Sequence, residues 1–186
     1  MSGVTAVTGK VLLYGFGNPG RGDDGLGPAL AAAIEASGVP GVVVDSNYQL
    51  TVEDAAEVVG YTSVVFADAA TQGPGPFWFS RIDDTEIERA GNPVGWSSHS
   101  VSPAQVVALA RRLFASNVDA YTLGIRGYLF GELDETLSLR AKDNLVKAVM
   151  FARTALVDRR FEKYVQVLGH SVAGEFSGGS NWKAQP

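Results

Sequence analysis

Short apolar runs alternate along this chain with stretches whose apolar residues recur at helical spacing. Residues 11–16, 42–44, 63–67, 77–82 and 121–125 are continuous enough in apolar character to read as strands. Between them, Leu26, Leu30, Ala33 and Ile34 mark one face of a helix that Pro28 helps to start. Ser37-Gly38-Val39-Pro40-Gly41 ends it. Thr51-Val-Glu-Asp54 resembles a capping box and predicts a short helix to about Val59. Ser102-Pro103 opens a helix with Val106, Leu109, Ala110 and Leu113 on one face. A long helix from about Asp134 carries Leu137, Ala141, Leu145, Ala148, Ala152 and Leu156 at helical spacing. Strands alternating with helices imply parallel βα units. The expected class is α/β, a three-layer α/β/α sandwich with a twisted, mostly parallel central sheet.

No internal repeat interrupts this pattern. Residues 1–168 are expected to form a single domain. Residues 169–186 are rich in Gly, Ser and Asn and poor in apolar residues, and read as a disordered tail. His170 and Trp182 fall in that tail and carry no functional weight here. Composition narrows the picture further. The net charge of −5 over 186 residues argues against nucleic acid as the main partner, because phosphate binding needs a basic face. The absence of cysteine removes thiolate nucleophiles and zinc–thiolate sites. No secretory signal and no membrane-length apolar run is legible, so a cytoplasmic monomer is the expectation.

The chemistry concentrates where the predicted strands end. After the first strand comes Gly15-Phe-Gly17-Asn18-Pro-Gly20-Arg-Gly-Asp23-Asp24. Its G-x-G-x-x-G spacing formally matches a dinucleotide-binding turn, whose amides cradle phosphate. Two adjacent carboxylates would repel that phosphate, so the loop suits a cation or a peptide. Ligands of open parallel sheets bind beyond the carboxyl ends of the strands. Asp24, Asp45 and Asp68 follow strands one, two and three, and His99 lies in a loop before a helix, so one rim can receive all four. Two carboxylates and an imidazole form an O,O,N set that suits nickel or zinc. Each residue also has a plainer reading: an N-cap for Asp23 or Asp24, a turn cap for Asp68, a hydrogen-bonded loop histidine for His99.

Together these segments resemble the hydrogenase maturation proteases, endopeptidases that trim the C-terminal extension from the large subunit of nickel-iron hydrogenases. The resemblance rests on Gly15-Phe-Gly-Asn-Pro-Gly-Arg-Gly-Asp-Asp-Gly-Leu-Gly27, Val64-Val-Phe-Ala-Asp-Ala69, Ser98-His-Ser-Val-Ser-Pro103 and Leu123-Gly-Ile125, and spans roughly residues 10–155. It implies an endopeptidase of aspartic or nickel-dependent type, with Asp24, Asp68 and His99 as both metal ligands and catalytic set. The nickel would be presented by the substrate, a hydrogenase large-subunit precursor. Gly17, Asn18, Asp23 and Asp45 would contact that substrate, Asn18 and the loop amides as donors to a developing oxyanion, although Asn18 can equally close its own turn. Of the paired acids, Asp24 is the better candidate for the ion and Asp23 the better candidate for a cap. Many family members have Glu where Asp24 stands. The segment Asp45-Ser-Asn-Tyr-Gln-Leu-Thr51 looks like the subgroup that matures bidirectional, NAD(P)-linked hydrogenases. Two alternatives stay open: a nickel-sensing maturation factor without proteolysis, and a peptidyl-tRNA hydrolase-like enzyme, whose family shares the Gly-x-Gly-Asn-Pro-Gly opening but needs an early histidine.

Overall fold

The computed structural model describes residues 9–91, 101–131 and 133–165. The tail of residues 169–186, with His170 and Trp182, lies outside the described residues, as does His99. Five strands form one sheet in the order β2-β1-β3-β5-β4. They are β1 (Val11–Phe16), β2 (Val42–Asn47), β3 (Ser63–Ala70), β4 (Phe77–Arg81) and β5 (Asp119–Arg126). All pairings are parallel except β4 with β5. The β3 to β4 connection is short, and a parallel crossover needs a dozen or more residues, so β4 returns antiparallel.

Helices cover both faces, as the pattern predicts. Leu13, Val65, Ala67, Leu123 and Ile125 project to one side, against α1 (Leu26–Ser37) and α5 (Leu139–Asp158). Leu12, Tyr14, Val64, Phe66 and Ala120 project to the other. There they meet α2 (Asp54–Glu57), α3 (Asp84–Ala90) and α4 (Pro103–Phe114). Successive strand residues point to opposite faces, so the continuous apolar runs of β1 and β3 are what a doubly covered sheet requires. None of the helices is long and apolar enough to cross a membrane, among the described residues.

Several boundaries differ from the sequence pattern. β2 is an edge strand and is not buried: Val43 is 41% exposed, and the strand continues past Asp45 to Asn47. β3 runs two residues beyond Asp68. The long helix starts at Leu139, where the Ser138 hydroxyl accepts from the Ala141 amide. Asp134 instead bridges to Arg21. Leu113, expected on the buried face of α4, is 63% exposed because it lies in the last turn, beyond the sheet. Helix α3 was not foreseen. It buries only Ile87, too little for a periodic stripe, yet Asp83 caps it by accepting from the Glu86 amide. The Asp-x-x-Glu spacing was its one sequence signal.

An aromatic cluster seals the α5 side. Phe79 stacks on Tyr121 at 5.4 Å between ring centroids and meets Phe151 edge-on at 5.3 Å. Phe79 is 1% exposed, so Phe79→Ala leaves a cavity that these neighbours cannot fill. Urea unfolding should show a loss of about 3–5 kcal/mol. A loss under about 1 kcal/mol would mean the cluster collapses onto the gap.

Candidate active site at the carboxyl end of the sheet

The loop after β1 owes its shape to its sequence. Gly17 has φ 134°, and a Cβ there would collide with the Asp24 carbonyl oxygen. At Gly27 a Cβ would strike the Phe16 and Ala67 carbonyls, so only glycine lets the start of α1 pack against both β1 and β3. These two close approaches bring the acid-acid turn beside the end of β3. Asp23 and Asp24 lie in a 3₁₀ turn, Asp23–Gly25, that leads into α1.

The loop amides are spent internally. Asn18 N–H donates to Asp24 Oδ2 at 2.9 Å, Gly20 N–H to Asn18 Oδ1 at 2.9 Å, and Arg21 N–H to the Asn18 carbonyl at 3.0 Å. Gly17, Gly22 and Asp23 donate to the carbonyls of Asn47, Asp134 and Leu129. A phosphate cradle needs free amides, so the G-x-G-x-x-G spacing here does not build one. The Asn18 side chain closes its own turn, the plainer of its two expected roles.

The paired acids have opposite fates. Asp23 is fully buried. Its Oδ2 accepts from the amides of Tyr128 and Leu129 at 2.7 and 2.9 Å and from the Ser138 hydroxyl at 2.8 Å. Its Oδ1 accepts from the Ser138 amide at 2.7 Å. Burial pushes this carboxyl upward, but the Leu129, Ser138 and Tyr128 amides and the Ser138 hydroxyl outweigh it and hold the group below its ordinary value. Asp23 therefore neither contacts substrate nor caps α1. It ties the β1–α1 loop to the β5–α5 segment more than 100 residues away.

Asp24 is half-buried, and its Oδ1 has no hydrogen-bond partner among the described residues. Asp68 is half-buried on the α3/α4 face, with Oδ1 accepting from the Ala69 amide at 2.7 Å. Burial raises Asp68, the Ala69 amide offsets part of that, and the charge of Asp24 raises it again, to about 7 from the usual 3.8. The structure thus brings Asp24 and Asp68 into electrostatic contact, as two carboxylates at one rim should be. Asp68 lines a cleft of about 220 Å³ with Phe16, Trp78, Glu86, Ser102 and Thr122. Glu86 was not foreseen, because α3 was not. Burial and then the nearby Asp83 hold its carboxyl above the ordinary value. His99 lies outside the described residues; Ser102, the N-cap of α4, lines the same cleft as Asp68. Among the described residues, no group of three or more His, Cys, Asp or Glu side chains could hold a metal. Asp24 and Asp68 alone are an incomplete set.

Asp45 stands apart. It sits two residues short of the β2 terminus, exposed, with Oδ1 accepting from the Ser46 amide at 2.7 Å. In register with Tyr14, it helps raise that hydroxyl, after burial and after Asp54, which accepts the Tyr14 hydrogen bond at 2.9 Å. The structure does not bring it to Asp24 and Asp68.

No family model matches the chain, and no curated protein does. Solved structures do. The [NiFe] hydrogenase maturation protease HycI from Thermococcus kodakarensis KOD1 superposes with TM-score 0.61 at 19% identity, over 80% of this chain and 92% of that one. The hydrogenase maturating endopeptidase HybD from E. coli gives 0.58 at 17%, over 81% and 94%. The hydrogenase 2 maturation peptidase from Thaumarchaeota archaeon SCGC_AB-539-E09 gives 0.58 at 22%, over 79% and 97%. The chain therefore has the fold of the hydrogenase maturation proteases, along nearly the whole length of each.

Two stability measurements separate the acids. Asp23→Ala strands four donors, so unfolding should cost roughly 2–4 kcal/mol less in the variant at pH 7. The folded Asp23 value is depressed, so this stabilisation is complete above the unfolded value and fades as pH falls through the folded one. Asp68 behaves oppositely. Its folded value is raised, so the folded state holds an extra proton between about 4 and 7, and stability declines as pH rises across that window. Asp68→Asn should remove the decline, making the metal-free protein more stable at pH 8 by on the order of 1–3 kcal/mol and no more stable at pH 4. Urea midpoints at both pH values decide it; equal shifts at both would refute the assignment.

Proposed function

We propose that the protein is an endopeptidase that removes the C-terminal extension of a nickel-loaded nickel-iron hydrogenase large-subunit precursor. The observation that carries this reading is the coupled pair Asp24 and Asp68, at the carboxyl end of a sheet with the hydrogenase maturation protease fold. Asp68, half-buried and held above its ordinary value by burial and then by the Asp24 charge, forms with Asp24 a pair poised for a cation, which relieves that repulsion. The hard oxygen donors would be joined by the imidazole of His99, giving an O,O,N set suited to nickel. The ion belongs to the substrate, so only a nickel-filled precursor brings its scissile bond to the cleft.

Asp68, half-protonated near neutrality, has the proton affinity a general base or acid needs at working pH. Attack by water is the simplest step, since the sequence offers no cysteine and no G-x-S-x-G nucleophile elbow. Asp23, locked in the interior, takes no part. In this reading the protein acts as a cytoplasmic monomer, and the Asp45–Thr51 segment directs it to the NAD(P)-linked class of hydrogenase.

The test is cleavage of purified precursor. Wild-type protein should shorten the nickel-loaded form and leave the nickel-free form intact. Asp24→Ala and Asp68→Ala should each lower the rate by at least about 100-fold, as loss of a metal-orienting ligand does. Loaded precursor that stays full length sinks the peptidase reading, and if it binds without being cut, the protein is a nickel-sensing factor. Full activity in both variants would leave an endopeptidase with no metal-reading pair.

A further inference from the structure

Among the described residues, one buried side-chain nitrogen lacks any hydrogen-bond partner: Nη1 of Arg126. Buried polar groups are nearly always bonded, and an unmet charged donor is among the costliest to keep. Arg126 is the last residue of β5, and its backbone pairs with that of Ala70, which lines the cleft with Asp68. The backbone that carries the orphan donor therefore borders the cleft of the candidate site.

Its surroundings are held firmly. The Arg126 guanidinium lies 5.4 Å from the centroid of the Tyr128 ring, and the Arg140 guanidinium 3.9 Å from the same centroid. Asn144, itself buried, fixes this arrangement by donating to the Arg126 carbonyl at 2.8 Å and to the Tyr128 hydroxyl at 3.1 Å. Neither arginine has an ion-pair partner among the described residues. Two cations without an ion-pair partner among the described residues, set against one ring in a chain of net charge −5, make a local positive corner. Arg126 as a whole is partly exposed, while its Nη1 is buried.

We infer that Arg126, with Arg140 reinforcing its field, receives a carboxylate of the substrate peptide and so helps to select the precursor. The planar fork of a guanidinium meets a carboxylate with two parallel hydrogen bonds, which a surface lysine cannot do. The inference rests on the peptidase reading above. The carboxylate is either an acidic side chain of the extension or its C-terminus.

The experiment compares wild type, Arg126→Gln and Arg126→Lys on three nickel-loaded precursors. One has its native extension, one has the extension's Asp and Glu changed to Asn and Gln, and one has an amidated C-terminus. On the native extension, Arg126→Gln should raise KM by about 10- to 100-fold while kcat falls less than twofold. Arg126→Lys should recover part of that loss. The precursor lacking the recognised carboxylate should show the same KM increase with wild type, and Arg126→Gln should add nothing to it; which precursor does so identifies the source. An unchanged KM, or a fall in kcat equal on all three, overturns the inference and leaves Arg126 a packing residue. If wild type cuts none of them, the peptidase reading has failed separately. The carboxylate site is then judged by the Arg126 guanidinium proton signals during acetate titration. A saturable shift sustains it, and no shift overturns it.

Discussion

Everything at the carboxyl end of the sheet hangs on a carboxylate that no solvent touches. Asp23 gathers two amides from the β5–α5 connection, and the amide and hydroxyl of Ser138 at the start of α5. A buried charge is tolerable only when it is this well bonded. With it in place, the loop after β1 is fastened at both ends. Gly17 and Gly27 press it against β1 and β3, and Asp23 fastens it to a segment more than 100 residues on. Asp24, the next residue, is thereby held still beside β3. Without that anchor its distance to Asp68 would be a fluctuating quantity.

Held rigidly, the pair is under electrostatic tension. Burial and the Asp24 charge keep Asp68 near half-protonation at neutral pH, a state that lowers the stability of the empty protein. The two acids thus divide their labour by environment: Asp23 is stabilised as an anion by donors, Asp68 is starved of them. Adjacent residues Asp23 and Asp24 differ for the same reason, because consecutive positions of a 3₁₀ turn face different ways.

This division explains what the sequence could and could not convey. The strands were legible as apolar runs because β1 and β3 are covered on both faces. The helices α1, α4 and α5 were legible from their spacing, and the approach of Asp24 to Asp68 followed from their lying at the carboxyl ends of adjacent parallel strands. The role of Asp23 was hidden because its partners are amides, which have no side-chain signature, at positions 128, 129 and 138. α3, and with it Glu86, was missed because a seven-residue helix burying one side chain leaves no stripe. Asp45 misled because β2 is an exposed edge strand separated from β3 by β1, so a shared position at strand ends did not make it a neighbour of Asp68.

The same contrast bears on Arg126. Its backbone is as deeply fixed as that of Asp23, through β5 and Asn144, yet among the described residues its guanidinium has no ion-pair partner and its buried Nη1 no hydrogen-bond partner. Arg81, Arg111 and Arg160 each meet a carboxylate within 3 Å. Asp24 and Asp68 are likewise without an ion-pair partner among the described residues, and the proposed substrate, a peptide that carries a cation at one point and a carboxylate at another, would answer both deficits.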